Sequence, residues 1–197
     1  MSGDKHVLRS ELRNEFRHRR RGLNASAQQT ASQAVLNHLI EANLLNVRRI
    51  AAYLPNDGEV SLQIVIEYAW RKGIDVFLPV LHPFSPGHLL FCHFTPSSHM
   101  QPNRFGIPEP VIEVQDICPL ASLDCIFTPL VAFDAHGNRM GMGGGFYDRT
   151  LAPIRRDGLN CQLIGVAHSC QQAGLLPVQS WDIPLDKIVT EQQIYSL

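Results

Sequence analysis

The chain has 197 residues, 45% hydrophobic and 18% charged, with a formal net charge of −1, enough for one domain with a substantial core. No run of about 18 apolar residues occurs, so no membrane span is predicted, and the basic N-terminal stretch lacks the apolar h-region of a secretory signal. The five cysteines (Cys92, Cys118, Cys125, Cys161 and Cys170) form no CxxC pair and the nine histidines fall in no zinc spacing, which points to a reducing, cytoplasmic setting and against structural zinc.

The net charge conceals an asymmetry. Residues 1–21 carry seven Lys/Arg against three acids, or +4, which leaves ten bases against fifteen acids in the rest, or −5. Residues 5–21 are predicted to form an amphipathic helix, because Leu8, Leu12 and Phe16 recur every fourth residue and should face the body. Lys5, Arg9, Arg13 and Arg17 recur at the same interval, so a basic stripe runs beside the apolar one. Three uses fit it: a solvated face paired with Glu11 and Glu15, a helix end beside a polyanionic ligand, or, through Arg19, Arg20 and Arg21, a nucleic-acid patch.

Ser26 and Gln29 have the spacing of a capping box that opens a second helix, 26–42, with Val35, Leu39 and Ile40 inward. RIAAYL, 49–54, reads as a short buried strand ending at Pro55. The loop PNDGEVS then carries Asp57 and Glu59 before Ser61 caps a helix over 62–72, closed by Gly73. Carboxylates between a strand's C-terminal end and the next helix lie where ligands bind in open α/β sheets; helix capping is the plainer account, and the weaker one for Glu59. IDVFLPVL, 74–81, is uniformly apolar, as a parallel strand covered on both faces must be, and LLFCHF, 89–94, reads as an edge or hairpin strand. Residues 95–122 are rich in proline and polar groups. Their FGIPEP segment, 105–110, is held extended by its prolines and suits either a pocket wall or simple loop packing.

DCIFTPLVAF, 124–133, reads as the central apolar strand, with Pro129 marking a bulge or an end. It feeds FDAHGNRMGMGGGFYDRTL, 133–151, a strand end, a glycine loop and a helix start. Glycine is needed where backbone adopts positive φ or meets a ligand closely, and loop N–H groups together with those of a helix N-terminus make a phosphate site. Arg139 could bind an anion and Asp148 a metal. A glycine-rich surface turn has the same spacing, with Asp134 as a turn residue and Asp148 as a first-turn acid. Neither GxxxxGK[ST] nor a complete GxGxxG is present, since Phe146 stands where the last glycine of the second would be. A helix over 145–156, a strand over 161–168 and a last short strand in KIVTEQQIY follow, with Asp182 and Asp186 just before the last. Strands alternating with helices imply a parallel, doubly wound α/β sheet.

Six segments in order carry a resemblance. They are KHVLRSELR, YLPNDGE, LPVL, FGIPEP, the core D-x-I-x-x-P-L-V-A-F-D-x-x-G-N-R-M-G continuing into FYDRTL, and WDIPLD. Together the chain resembles the 5-formyltetrahydrofolate cyclo-ligase family almost end to end. The resemblance implies a single domain, 1–197, with a Rossmann-like three-layer α/β/α sandwich and a mostly parallel sheet, related to ribose-phosphate isomerase and CoA-transferase-like folds. It implies MgATP-dependent conversion of 5-formyltetrahydrofolate to 5,10-methenyltetrahydrofolate, ADP and phosphate by a cytoplasmic monomer acting on a reduced folate, with or without a polyglutamate tail. Fold analogy alone allows sugar-phosphate isomerisation or acyl-CoA transfer, and the acidic remainder of the chain disfavours nucleic acid as a partner.

By motif position the resemblance implies that Lys5 and Arg9 meet the ATP phosphates, and that Arg139, Met140, Gly141, Met142, Gly143, Gly144, Gly145, Phe146 and Tyr147 form the ATP loop. Arg139, Gly143, Gly144, Gly145 and Tyr147 are its catalytic part, and Met142 to Phe146 also touch folate. Leu54, Glu59 and Phe105 fall at folate contacts, Glu59 as an acceptor for pterin N–H groups, and Asp148 and Asp186 at magnesium ligands. One departure stands out: many members read G-R-G-K-G-Y-Y-D where this chain reads Gly141 to Asp148 as GMGGGFYD, without either loop cation. The expectation is that Arg139 and the loop N–H groups take a larger share of the γ-phosphate.

Overall fold

The computed structural model describes residues 2–197, with side chains from residue 7 onward. Its helices are α1 (Ser2–Arg21), α2 (Ala25–Glu41), α3 (Gln63–Arg71) and α4 (Phe146–Arg156). Its strands are β1 (Arg49–Ala51), β2 (Asp75–Leu81), β3 (Leu89–His93), β4 (Met100–Pro102), β5 (Pro108–Pro110), β6 (Ile117–Cys118), β7 (Cys125–Pro129), β8 (Ala132–Phe133), β9 (Arg139–Met140), β10 (Gln162–Val166), β11 (Lys187–Val189) and β12 (Ile194–Ser196). Eight of them form one sheet in the order β12-β11-β10-β7-β1-β2-β3-β6. The run from β11 to β2 is parallel throughout, and antiparallel strands flank it.

Both faces of the parallel run are covered, which is why its strands read as unbroken apolar stretches. On one face Ile50, Val76, Leu78, Phe127 and Ile164 pack with Val35 and Leu39 of α2 and Val65 and Ile66 of α3. On the other, Ala51, Phe77, Ile126, Leu163 and Ile188 pack with Leu151 and Ile154 of α4. The alternation of strand side chains assigns each residue to its layer. Helix α1 lies apart from both layers and is attached through Phe16, which is buried with Val131, Ala132, Met140 and Leu176. No helix among the described residues is long and apolar enough to cross a membrane.

Several local expectations are corrected. Asn24, not Ser26, caps α2: its Oδ1 accepts from Ala27 N at 2.9 Å, leaving Ser26 inside the helix. Ile40 is 41% exposed and Leu36 takes its inward place. On α1 the buried stripe is Phe16 and Arg20 with Leu12 partly covered, whereas Leu8 is 45% exposed, because the body underlies only the later turns. The predicted strand 124–133 ends at Pro129, one of the two outcomes that proline marked, and the chain leaves the sheet there to form the separate β8–β9 hairpin. The segment 187–195 is two antiparallel strands rather than one, and the proline-rich 95–122 segment contains the β4–β5 hairpin.

Candidate active site

From the junction of β1 and β7 the parallel strands run outward in two directions, β1 to β2 one way and β7 through β10 to β11 the other. Loops leaving adjacent strands at such a junction diverge and open a crevice at the strands' C-terminal ends. A cavity of about 620 Å³ lies there. Tyr53, Leu54, Asn56 and Glu59 after β1, Pro129 and Leu130 at the end of β7, and the glycine loop form its floor and sides. Phe105, Ile107 and Glu109 of the β4–β5 hairpin make one wall, so FGIPEP is a pocket wall, and Arg9, Arg13, Trp181 and Asp182 make the other. Glu109 fixes the hairpin to the sheet: its Oε2 accepts from Leu81 N at 3.2 Å and Asn103 Nδ2 at 3.1 Å.

The glycine loop is set up by Asp134, a turn residue as the plain reading had it. Fully buried, its carboxylate accepts from His136 N, Asn138 N and Leu176 N at 2.9, 3.2 and 3.1 Å. The hairpin delivers the chain to Gly141, and α4 begins at Phe146 behind a Gly145 whose φ is +67°. A Cβ on Gly144 would lie 2.8 Å from the Phe146 ring, so the glycine that departs from the common family pattern leaves room for the ring in its present seat. Arg149 hydrogen-bonds Gly144 O and, at 3.0 Å, Gly87 O, pinning the loop from outside the cavity. A trans peptide points its C=O and N–H oppositely, so the Gly145 N–H turns inward. Among the described residues none of the backbone N–H groups from Gly141 to Tyr147 donates to a protein acceptor, which is the arrangement of an anion cradle.

Three arginines line the cavity. Arg9 forms a fork with Asp182, at 2.5 and 3.0 Å, and donates to Pro177 O at 2.8 Å. Arg139 is 4% exposed and donates to Asp148 Oδ1 at 2.7 Å; the same oxygen accepts from Ile183 N at 3.2 Å. Arg13 gives its Nε–H to Gly141 O at 2.9 Å. Burial, and next the neighbouring Arg9 charge, pull its guanidinium below the ordinary arginine range, while Asp182 acts in the other direction.

Glu59 also lines the cavity, its side chain 10% exposed. Burial pushes its carboxyl up to about 7 even though Arg20 and a hydrogen bond from Asn56 N, at 3.0 Å, oppose the shift. Arg20 lies 3.7 Å from Glu59 but 2.8 Å from Asp57 Oδ2, so most of its charge is spent on Asp57. Tyr53 donates to Val60 O at 2.9 Å. Burial, and then the nearby Glu59 carboxylate, hold Tyr147 above the ordinary phenol range, so it remains a neutral phenol.

The structure thus gathers Arg9, Arg139, Gly141, Met142, Gly143, Gly144, Gly145, Phe146, Tyr147 and Asp148 around one cavity with Leu54, Glu59 and Phe105. Phe105 meets Phe146 edge to face at 5.8 Å. Two expected residues are not brought there. The Met140 side chain is buried under α1 with Phe16, and Asp186 gives its oxygens to Arg155, at 2.8 Å, and Leu163 N, at 2.7 Å, away from the lining. The Lys5 side chain lies outside the described residues. Within the arginine run Arg20 is fully buried, Arg21 pairs with Asp57 and Arg19 with Glu15. Arg13, Asp182 and Glu109 were not singled out as site residues. The four-residue basic stripe was a signal for Arg13, and Glu109 and Asp182 fall inside the FGIPEP and WDIPLD segments that carry the resemblance.

A mostly parallel α/β sheet with a glycine loop of unpaired N–H groups at its crevice, flanked by arginines and carboxylates, makes a site suited to an anionic ligand. A sequence model of the 5-formyltetrahydrofolate cyclo-ligase family matches residues 5–191. The chain is 46% identical over 181 residues to the 5-formyltetrahydrofolate cyclo-ligase of Escherichia coli K12, covering 91% of this chain and 98% of that one. It is 45% identical over 184 residues to that of Haemophilus influenzae, covering 92% and 96%. The NMR structure of Aquifex aeolicus 5,10-methenyltetrahydrofolate synthetase superposes with a TM-score of 0.80 at 31% identity, over 96% of this chain and 92% of that one. A synthetase from Mycoplasma pneumoniae shares the fold, with a TM-score of 0.69 at 24% identity over 93% and 98%. The chain belongs to the 5-formyltetrahydrofolate cyclo-ligase family.

Proposed function

We propose that the chain catalyses ATP- and Mg²⁺-dependent cyclisation of 5-formyltetrahydrofolate to 5,10-methenyltetrahydrofolate, releasing ADP and phosphate. The observation that carries this reading is the mixed lining of the cavity: the buried Glu59 carboxyl with Tyr53, Tyr147 and Leu54, three arginines, and a glycine loop whose N–H groups are unpaired. A flat heterocycle with N–H donors suits the first group and a polyphosphate the other two. Because the lining draws on residues from Arg9 to Asp182, we read the chain as one catalytic domain.

The formyl oxygen is a poor leaving group, so N10 cannot close the ring by expelling it directly. In the proposed reaction the formyl oxygen attacks the γ-phosphorus of ATP as the bond to the β-phosphate oxygen breaks and ADP forms. N10 then attacks the formyl carbon and loses its proton, and the carbon–oxygen bond breaks with departure of phosphate, leaving the methenyl bridge. The protein's part is positioning and charge compensation. Glu59 accepts from the pterin N–H groups, Phe105 and Phe146 hold the rest of the folate, and the N–H groups of Gly143, Gly144 and Gly145 receive the phosphoryl oxygens. One such donor is worth roughly 3 kcal/mol of barrier. The neutral Tyr147 phenol closes the site beside Arg139.

The donor set suits magnesium. Among the described residues no cluster of three or more His, Cys, Asp or Glu could hold a metal, and Mg²⁺ on a nucleotide needs only one or two carboxylates besides phosphate and water. Asp148 would hold it, since its Oδ2 has no protein donor among the described residues while Oδ1 is fixed by Arg139 and Ile183 N. Bound there, Mg²⁺ would neutralise charge on the phosphates. We leave Asp186 out of the metal site because both its oxygens are engaged elsewhere. The test is to mix the protein with 5-formyltetrahydrofolate, Mg²⁺ and ATP and follow the methenyl chromophore; it should appear only with all three, and no absorbance change with folded protein would overturn the proposal.

A further inference from the structure

The glycine loop carries no Lys or Arg between Met140 and Asp148, so the cavity's positive charge must come from elsewhere. Of the three arginines on its lining, Arg9 is forked onto Asp182 and Arg139 is bonded to Asp148. Each of these pairs is close to neutral. Arg13 differs: it forms no ion pair among the described residues, and its single hydrogen bond there, from Nε to Gly141 O, leaves both terminal nitrogens without a protein acceptor. Its guanidinium lies against the loop, where a Cβ on Gly143 would be 3.5 Å from Cζ and 3.8 Å from Nη1. Four donor hydrogens of a half-buried cation therefore sit beside the unpaired N–H groups of the same loop.

We infer that Arg13 binds the polyphosphate of the nucleotide, supplying from α1 the cation that the glycine loop lacks. This rests on the ATP-dependent reading above and sharpens it: Arg139 is ion-paired with Asp148 through one terminal nitrogen, although its buried Nε has no partner, whereas Arg13 is the lining arginine that forms no ion pair among the described residues. A charge-assisted pair to phosphate is geometric as well as electrostatic, so lysine at 13 should serve only in part. The competing role is structural, with Arg13 merely bracing Gly141.

The experiment measures ADP binding by calorimetry and steady-state constants for ATP and folate in the full chain. Arg13→Gln should weaken ADP and raise the ATP KM by about tenfold or more, the usual size of a lost hydrogen bond to a charged group, with folate KM little changed; Arg13→Lys should fall between. The deciding variant adds Met142→Arg to Arg13→Gln, placing a cation back on the same stretch of lining. Recovery of ADP affinity supports the inference, because a loop arginine cannot replace the brace on Gly141. ADP affinity within about twofold of wild type in Arg13→Gln, or a loss that Met142→Arg does not restore, would overturn it. Failure of the function itself is seen separately, as wild-type protein that makes no methenyl product.

Discussion

At the scale of single residues, two carboxylates two positions apart show opposite responses to their surroundings. Burial alone would raise the carboxyl of Asp57, but hydrogen bonds from Arg17, Arg21 and Arg20 outweigh it and hold it at about 2. A carboxyl depressed on folding adds stability that is present above its ordinary value near 4 and is lost as pH falls toward 2. Asp57 has φ +55°, a conformation asparagine tolerates, so Asp57→Asn removes charge without straining the turn. It should cost about 2 kcal/mol at pH 7 by linkage, and more through the unpaired Arg20; in urea titrations the gap to wild type should close between pH 4 and 2. Glu59 behaves the other way. Raised to about 7 by burial, it is protonated in free protein below that pH, and a ligand that needs the carboxylate must expel the proton. Folate KM should therefore rise by up to tenfold per unit as pH drops below about 7, and Glu59→Gln should bind more weakly at pH 8 with that dependence flattened. An unchanged pH profile in Glu59→Gln would exclude this role.

Among the elements, the glycine loop shows what its residues could and could not reveal in advance. Its position between a strand and a helix was legible because an apolar run, a turn and a helical pattern abut there, and the proposal that it cradles an anion rests on glycine's backbone freedom. The reason for Gly144 was not legible, since it lies in where the Phe146 ring points. Gly144→Ala should push that ring off its seat, raising folate KM several-fold through lost contact with Phe105 while leaving the ATP KM and global stability nearly unchanged, because Gly144 lacks the positive φ of its neighbours. Gly145→Ala serves as the contrast, since its φ of +67° and its closeness to Arg149 make it costly to stability by about 1–2 kcal/mol. Thermal melts and both KM values separate the two. Strand ends were less readable: β8–β9, β4–β5 and β12 are two or three residues long, too short for periodicity to register.

Across the whole molecule, the parallel sheet was the most legible feature, because burial on both faces forces unbroken apolar runs into the sequence. The closure of the site by α1 was not, since it depends on pairs such as Arg9 with Asp182, separated by 173 positions. The basic stripe fitted a solvated face, a ligand or a nucleic-acid partner equally in spacing and could not say which of its members would face inward. Phe16 anchors that closure. Phe16→Ala should cost about 3 kcal/mol of packing, felt first as faster amide exchange in α1 and weaker ADP binding while the parallel strands stay protected; equal loss of protection in both would show that α1 and the sheet unfold as one. The long reach of Arg9 also orders events in time. In a growing chain α1 waits for a carboxylate added only after β1, β2, β7 and β10, so most of the parallel strands are made before the Arg9–Asp182 pair can close. A product that stops just short of Asp182 keeps α1 seated by Phe16 and by the arginines on Asp57, yet leaves Arg9 without its carboxylate and open to another anion.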